Sequence, residues 1–104
     1  MKYVNYAGTV RVLTSDEIAD AVIRYAAALH QSRLSDVVSV PTADVFGTAS
    51  VVDLLLAPSI AVALEPAPDD ELEPEDAAFL REIGRRTEAV LAVDASAYPP
   101  DFGR

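Results

Sequence analysis

In the segment Thr14–Arg33, TSDEIADAVIRYAAALHQSR, the residues Ile18, Val22, Tyr25, Ala26 and Leu29 recur at helical spacing and form one apolar stripe. Thr14 reads as its N-cap, and Glu17 three residues later completes a capping box that satisfies N–H groups left free at the helix start. Asp20 and Arg24 read as an i,i+4 pair on the opposite side, worth about 0.2–0.5 kcal/mol. The pattern predicts a surface helix that lays one face on something flat.

Upstream, YVNYAGTVRVLT alternates with period two and predicts two short strands around Ala7-Gly8, where Gly8 supplies a positive φ. Val4 and Tyr6 share one face of the first strand; Val10 and Val12 share one face of the second. Downstream, DVVSVPT and SVVDLLL read as β-branched strands joined by ADVFGT, with Asp44 and Gly47 as loop residues. Pro41 cannot donate to a ladder and favours an edge strand or a strand end. Pro58-Ser59 marks the next turn, and IAVAL, residues 60–64, reads as a third strand, although a run this short also fits a short helix.

A second helix follows over PEDAAFLREIGRRTEAVLAV. Pro74 suits its first position, and Glu75 and Asp76 suit the positive end of its dipole. Ala77, Leu80, Ile83, Thr87 and Leu91 form a weaker stripe, and Gly84 reads as a close approach to the sheet. The order ββαβββα predicts an α/β fold of the α+β type. It is expected to be a two-layer sandwich, a mainly antiparallel sheet of four to five strands with two helices on one face. Residues 1–93 read as a single domain, with an acidic, Pro-containing linker at 65–74 before the last helix. Residues 94–104 read as a flexible C-terminal tail, in which Tyr98, Pro99, Pro100 and Phe102 form a short extended segment.

The chain of 104 residues is 51% hydrophobic, enough for the core of one domain. It has no cysteine, which excludes disulfides, thiolate nucleophiles and Cys-containing zinc patterns and suits a cytoplasmic protein. Neither a signal-peptide pattern nor an apolar run near the ~20 residues of a membrane span is present, so a soluble protein without a membrane partner is expected. One Lys against seven Arg, with many Ala, reads as the codon bias of a high-GC bacterium.

The net charge of −9 argues against nucleic acid as a partner, because phosphate contacts need clustered Lys and Arg. The acidity is concentrated in EPAPDDELEPED, whose seven carboxylates leave −2 for everything else. Prolines extend that segment and like charges repel, so it reads as a solvated linker rather than a metal site; its spacing also fails the EF-hand pattern. A secondary reading makes Asp69, Asp70, Glu71 and Glu73 an acidic surface for a basic partner. Arg81, Arg85 and Arg86 are expected to pair with Glu82 and Glu88 or to balance the acidic stretch.

Catalytic machinery is not legible. His30 is the only histidine, and its helical neighbours Ala26 and Leu34 cannot orient it as a base. The serines match no nucleophile motif, and the four glycines form no phosphate loop. No catalytic, metal or cofactor-binding residue is assigned, and the expectation is a non-enzyme without a cofactor.

One face stands out. If Val52, Leu54 and Leu56 point to the core, then Val51, Asp53 and Leu55 point outward, with Val37, Ser39, Ala61, Ala63 and Leu13 on the same side. Such a face is too apolar for free water, and apolar patches commonly mark interfaces. Val51, Asp53, Leu55 and Leu13 are therefore the candidate interface of a small, acidic, non-catalytic association domain. Its partner is its own copy in a homodimer or another protein. The competing reading is a small-molecule binder or enzyme with a pocket between sheet and helices or at a dimer seam, using Tyr25, His30 and Asp53. Mimicry of nucleic acid ranks behind both, because the carboxylates cluster on one Pro-containing segment instead of spreading along a rigid face.

Overall fold

A computed structural model of the protein describes residues 1–43, 48–68 and 76–96. In chain order these form β1 (Lys2–Tyr6), β2 (Val10–Thr14), α1 (Asp16–Ser32), β3 (Asp36–Ala43), β4 (Ala49–Leu56), β5 (Val62–Pro66) and α2 (Ala77–Ser96). The order is the one read from the periodicity, and every strand pairing is antiparallel. The five strands divide into two sheets, β2-β1-β5 and β3-β4. Where the sheets meet, side chains replace the ladder: Thr14 Oγ1 donates to the Pro41 carbonyl at 2.7 Å, and Thr42 Oγ1 donates to the Leu13 carbonyl. A regular ladder here would need an N–H from position 41, which Pro41 lacks.

Local chemistry sets the element ends. The turn Tyr6–Thr9 closes with a bond from Thr9 N–H to Tyr6 O at 3.2 Å, and both Ala7 (φ 56) and Gly8 (φ 77) are left-handed within it. The N-cap of α1 is Ser15, whose hydroxyl accepts from Ile18 N–H at 3.1 Å. The expected cap at Thr14 does not form, because that residue ends β2 and commits its hydroxyl to Pro41. Asp20 likewise pairs with Lys2 Nζ at 2.7 Å rather than with Arg24. Helix α1 ends at Arg33, left-handed at φ 56, with Leu34 N–H bonded to Leu29 O at 3.0 Å.

The core joins both sheets and both helices. Val4 and Val12 contribute from the three-stranded sheet, and Val38, Val40, Leu54 and Leu56 from the β3–β4 hairpin. Ile18, Val22, Tyr25 and Leu29 supply the buried stripe of α1. Helix α2 packs along α1. Among its described side chains only Ile83 is buried, with Phe79, Leu80 and Val90 half-buried against the same core. Ala77 and Leu91, expected on that stripe, are exposed. Gly84 is not a close approach: a Cβ placed there would meet nothing within 4 Å.

Several boundaries move by a few residues. Residues 62–66 are strand, so the question at 60–64 resolves as β5, and Glu65 belongs to that strand rather than to a linker. Asp76 caps α2, accepting from Phe79 N–H at 2.9 Å. The helix continues to Ser96, past the domain limit expected at 93. Asp44, Gly47, Pro74, Glu75, the acidic surface residues Asp69, Asp70, Glu71 and Glu73, and the tail residues Tyr98, Pro99, Pro100 and Phe102 lie outside the described residues. No helix among the described residues is long and apolar enough to cross a membrane.

Candidate functional site

The outer face of the β3–β4 hairpin is built by register. Val37 lies opposite Leu55, Ser39 opposite Asp53 and Pro41 opposite Val51, so alternation puts all six on the side away from Val38, Val40, Leu54 and Leu56. Val37 is 54% exposed, Val51 59% and Leu55 46%, values at which large aliphatic side chains are in water. In their midst Ser39 Oγ donates to Asp53 Oδ1 at 2.6 Å. The result is an apolar strip interrupted by one carboxylate that its cross-strand neighbour holds in place.

The structure brings Val51, Asp53 and Leu55 together as the alternation predicts. Leu13 is not among them. It stands half-buried on the outer face of the other sheet, opposite Tyr3. That face is polar: Asn5 Nδ2 donates to Glu65 Oε1 at 2.7 Å, and Arg11 Nη2 pairs with Glu65 Oε2 at 2.6 Å while its guanidinium lies 4.4 Å from the centre of the Tyr3 ring. The bond from Asn5, and then the Arg11 guanidinium, hold the Glu65 carboxyl below the usual carboxylate range. Among the described residues, the large aliphatic side chains exposed on an outer sheet face are Val37, Val51 and Leu55 of the hairpin; Val10, Leu34 and Leu91 are exposed elsewhere, and Ala63 lies with Leu13 on the other sheet.

A network that periodicity does not reveal fixes the hairpin to the helices. Asp36, at the start of β3, accepts from the buried Tyr25 hydroxyl at 2.6 Å and from Arg86 Nη1 at 3.2 Å. Burial, with the bond to Asp36, pushes the Tyr25 phenol up to about 12. Arg86 also donates to the Val37 carbonyl at 3.4 Å and lies 3.7 Å from Glu82, which pairs with Arg85 as well. Of the pairs expected among Arg81, Arg85, Arg86, Glu82 and Glu88, those of Arg85 and Arg86 with Glu82 are present. Arg81 and Glu88 form no ion pair among the described residues, and Asp36 is the partner the sequence did not indicate. Between β3 and α2 this network borders a cleft of about 330 Å³ that includes Val37, Ser39, Phe79 and Ile83.

The polar residues of a binder do not converge. Tyr25 is committed to Asp36, and Asp53 stands on the outer strip. His30 is exposed beside a different, mainly apolar cleft of about 380 Å³ between α1 and the Ala57–Ala61 turn. Among the described residues no group of three or more His, Asp or Glu side chains is placed to hold a metal ion. No protein-family model, curated protein or solved structure matches the chain.

Proposed function

We propose that this protein is a non-catalytic association domain whose contact element is the β3–β4 hairpin, and that its first partner is a second copy of itself. The supporting observation is the outer strip. Val37, Val51 and Leu55 are each about half exposed on one rigid face, around a Ser39–Asp53 pair satisfied within the hairpin. Apolar side chains held in water by a strand register contribute nothing to the core, and patches of this type mark contacts between proteins. The polar groups that chemistry would need are bonded elsewhere or stand apart, which favours binding over catalysis.

The test is the molar mass in solution by light scattering over a concentration series, for the native chain and for Leu55→Lys. Leu55 points away from the core, so the lysine leaves folding intact and places a charge in the strip. Association is expected to double the mass from 11.1 kDa, and Leu55→Lys to abolish that. A mass of 11.1 kDa at every concentration contradicts the homodimer.

A second reading rests on the cleft beside His30, where Ile23, Ala26, Ala27 and Ile60 form a concave apolar wall. It suits a small apolar ligand with one polar group for His30. A thermal-shift panel of such compounds tests it, since a ligand that binds only the folded chain raises the melting temperature.

A further inference from the structure

The two edges of the hairpin differ. In an antiparallel pair, opposed residues alternately exchange both main-chain bonds or turn their N–H and C=O groups away from each other. Three contacts from outside the ladder set the phase. Arg86 reaches Val37 O at 3.4 Å, Thr14 reaches Pro41 O at 2.7 Å and the Tyr6 hydroxyl donates to Leu55 O at 2.7 Å. The pairs Val37–Leu55, Ser39–Asp53 and Pro41–Val51 are therefore the ones whose main-chain groups face outward. Pro41, with no N–H, sits where the ladder asks for none.

Along β3 those outward groups are mostly covered. Val37 N–H donates to Asp36 Oδ1 at 2.9 Å, Arg86 holds the Val37 carbonyl and Thr14 holds the Pro41 carbonyl. Along β4, among the described residues, only the Leu55 carbonyl is covered, by Tyr6. The N–H and C=O groups of Val51 and Asp53 point to an edge where, among the described residues, no strand pairs. Natural edge strands are blunted by charged side chains, Pro or a bulge. Strand β4, ASVVDLLL, has no Pro and an unbroken register with β3, and its one charge, Asp53, stands on the outer face bonded to Ser39.

We propose that a second copy of this chain docks on that edge, β4 against β4, antiparallel about a two-fold axis beside Val52. The proposal rests on the reading of the hairpin as an association element and specifies how it associates. In this register each Val51 exchanges both main-chain bonds with the partner's Asp53, and Leu55, whose carbonyl Tyr6 already holds, lies opposite the partner's Ala49. Centring the axis on Asp53 would instead oppose two carboxylates directly, which destabilises a sheet. The partner's Val51 and the partner's Leu55 become diagonal neighbours of each Val51, and the two Asp53 carboxylates stand diagonal to each other, about 7–8 Å apart, instead of directly opposed. Stacking the two strips face to face is the poorer arrangement. It leaves the N–H and C=O groups of Val51 and Asp53 without the main-chain bonds that edge pairing supplies.

The experiment combines light scattering with amide hydrogen exchange at Val51 and Asp53, read by NMR over a concentration series, on the full chain and on Val51→Pro. That substitution removes an N–H the hairpin does not use, as Pro41 does directly opposite. The native chain is expected to reach twice 11.1 kDa, with exchange at both amides slowed about tenfold or more and the protection lost on dilution. Val51→Pro is expected to stay at 11.1 kDa with an unchanged circular dichroism spectrum. A dimer that survives Val51→Pro, with both amides exchanging equally fast at all concentrations, overturns the edge seam and leaves association through the hairpin standing. A single 11.1 kDa species throughout overturns both. If Val51→Pro does not fold, exchange in the native chain decides alone.

Discussion

Ser39 donates its hydroxyl hydrogen to Asp53 Oδ1 at 2.6 Å from the position directly across the β3–β4 ladder. Asp53 is the one charged side chain on the outer strip, and it stands between the Val37–Leu55 and Pro41–Val51 pairs. A carboxylate at the centre of an apolar strand face keeps that face from unlimited strand-on-strand growth. The bond from Ser39 orients it without removing it from water.

Asp53→Val converts the strip into a continuous aliphatic surface. Scattered intensity is expected to rise beyond that of a dimer, with lower solubility, while Asp53→Asn, which still accepts from Ser39, falls between Val and the native residue. Solubility and mass identical to those of the native chain in Asp53→Val would show that the carboxylate is no such guard.

Two backbone positions have their residue types reversed. Gly84 occupies the interior of α2 with open space at its Cβ, and Arg33 occupies the left-handed end of α1 where glycine is ordinarily found. Gly84→Ala is expected to stabilise by about 0.5–1 kcal/mol through helix propensity. Arg33→Gly is expected to stabilise by about 1 kcal/mol by relieving the left-handed strain. Urea midpoints check both. Destabilisation by Gly84→Ala would mean that α2 packs more closely at that point than the open space indicates.

The alternation in SVVDLLL was enough to place Val51, Asp53 and Leu55 on the outer face, because period-two patterns report which side of its own strand a residue occupies. It does not report which sheet the strand joins, and so Leu13 fell on the wrong surface. Thr14 and Ser15 are adjacent hydroxyl residues of similar capping strength; the tertiary bond from Thr14 to Pro41 decided between them. The Tyr25–Asp36–Arg86 network joins residues 11 and 50 positions apart and has no periodic signature. The open edge of β4 was equally invisible, because it depends on which carbonyls other elements cover.

With a net charge of −9, two copies of the chain repel each other before any contact forms. Raising ionic strength from about 0.01 to 0.15 M shortens the screening length from about 30 to 8 Å. The dimer dissociation constant, measured by sedimentation over that range, is expected to fall. A constant that rises with salt would point to a seam held by opposite charges, against the apolar strip and the main-chain edge.

On the three-stranded sheet, Glu65 provides an acid-side test. Its carboxyl is held below the ordinary 4.5 by Asn5 first and Arg11 second. A depressed folded value means that its stabilising effect is present above about 4.5 and is lost as pH falls through the lower folded value. NMR titration of the Glu65 carboxyl should show an upward shift in Asn5→Ala, and Glu65→Gln should flatten the acid limb of stability. An unchanged Glu65 titration in Asn5→Ala would remove Asn5 as the main cause.

Tyr25 provides the alkaline counterpart. Its hydroxyl is buried and donates to Asp36 Oδ2 at 2.6 Å, and burial followed by that bond raises the phenol from 10.0 to about 12. The unfolded chain loses this proton near 10 and the folded chain only near 12, so above pH 10 the folded state binds more protons and stability falls with rising pH. The contribution is complete below 10 and is gone once pH passes about 12. Tyr25→Phe is expected to cost about 1–2 kcal/mol at neutral pH, as a bond to a carboxylate is lost, and to make the alkaline slope shallower. Urea denaturation at several pH values reads both effects, and difference absorbance should show a phenolate signal near pH 12 that Tyr25→Phe lacks. An alkaline slope as steep in Tyr25→Phe as in the native chain would assign that slope to another group and reduce the Tyr25–Asp36 bond to a packing contact.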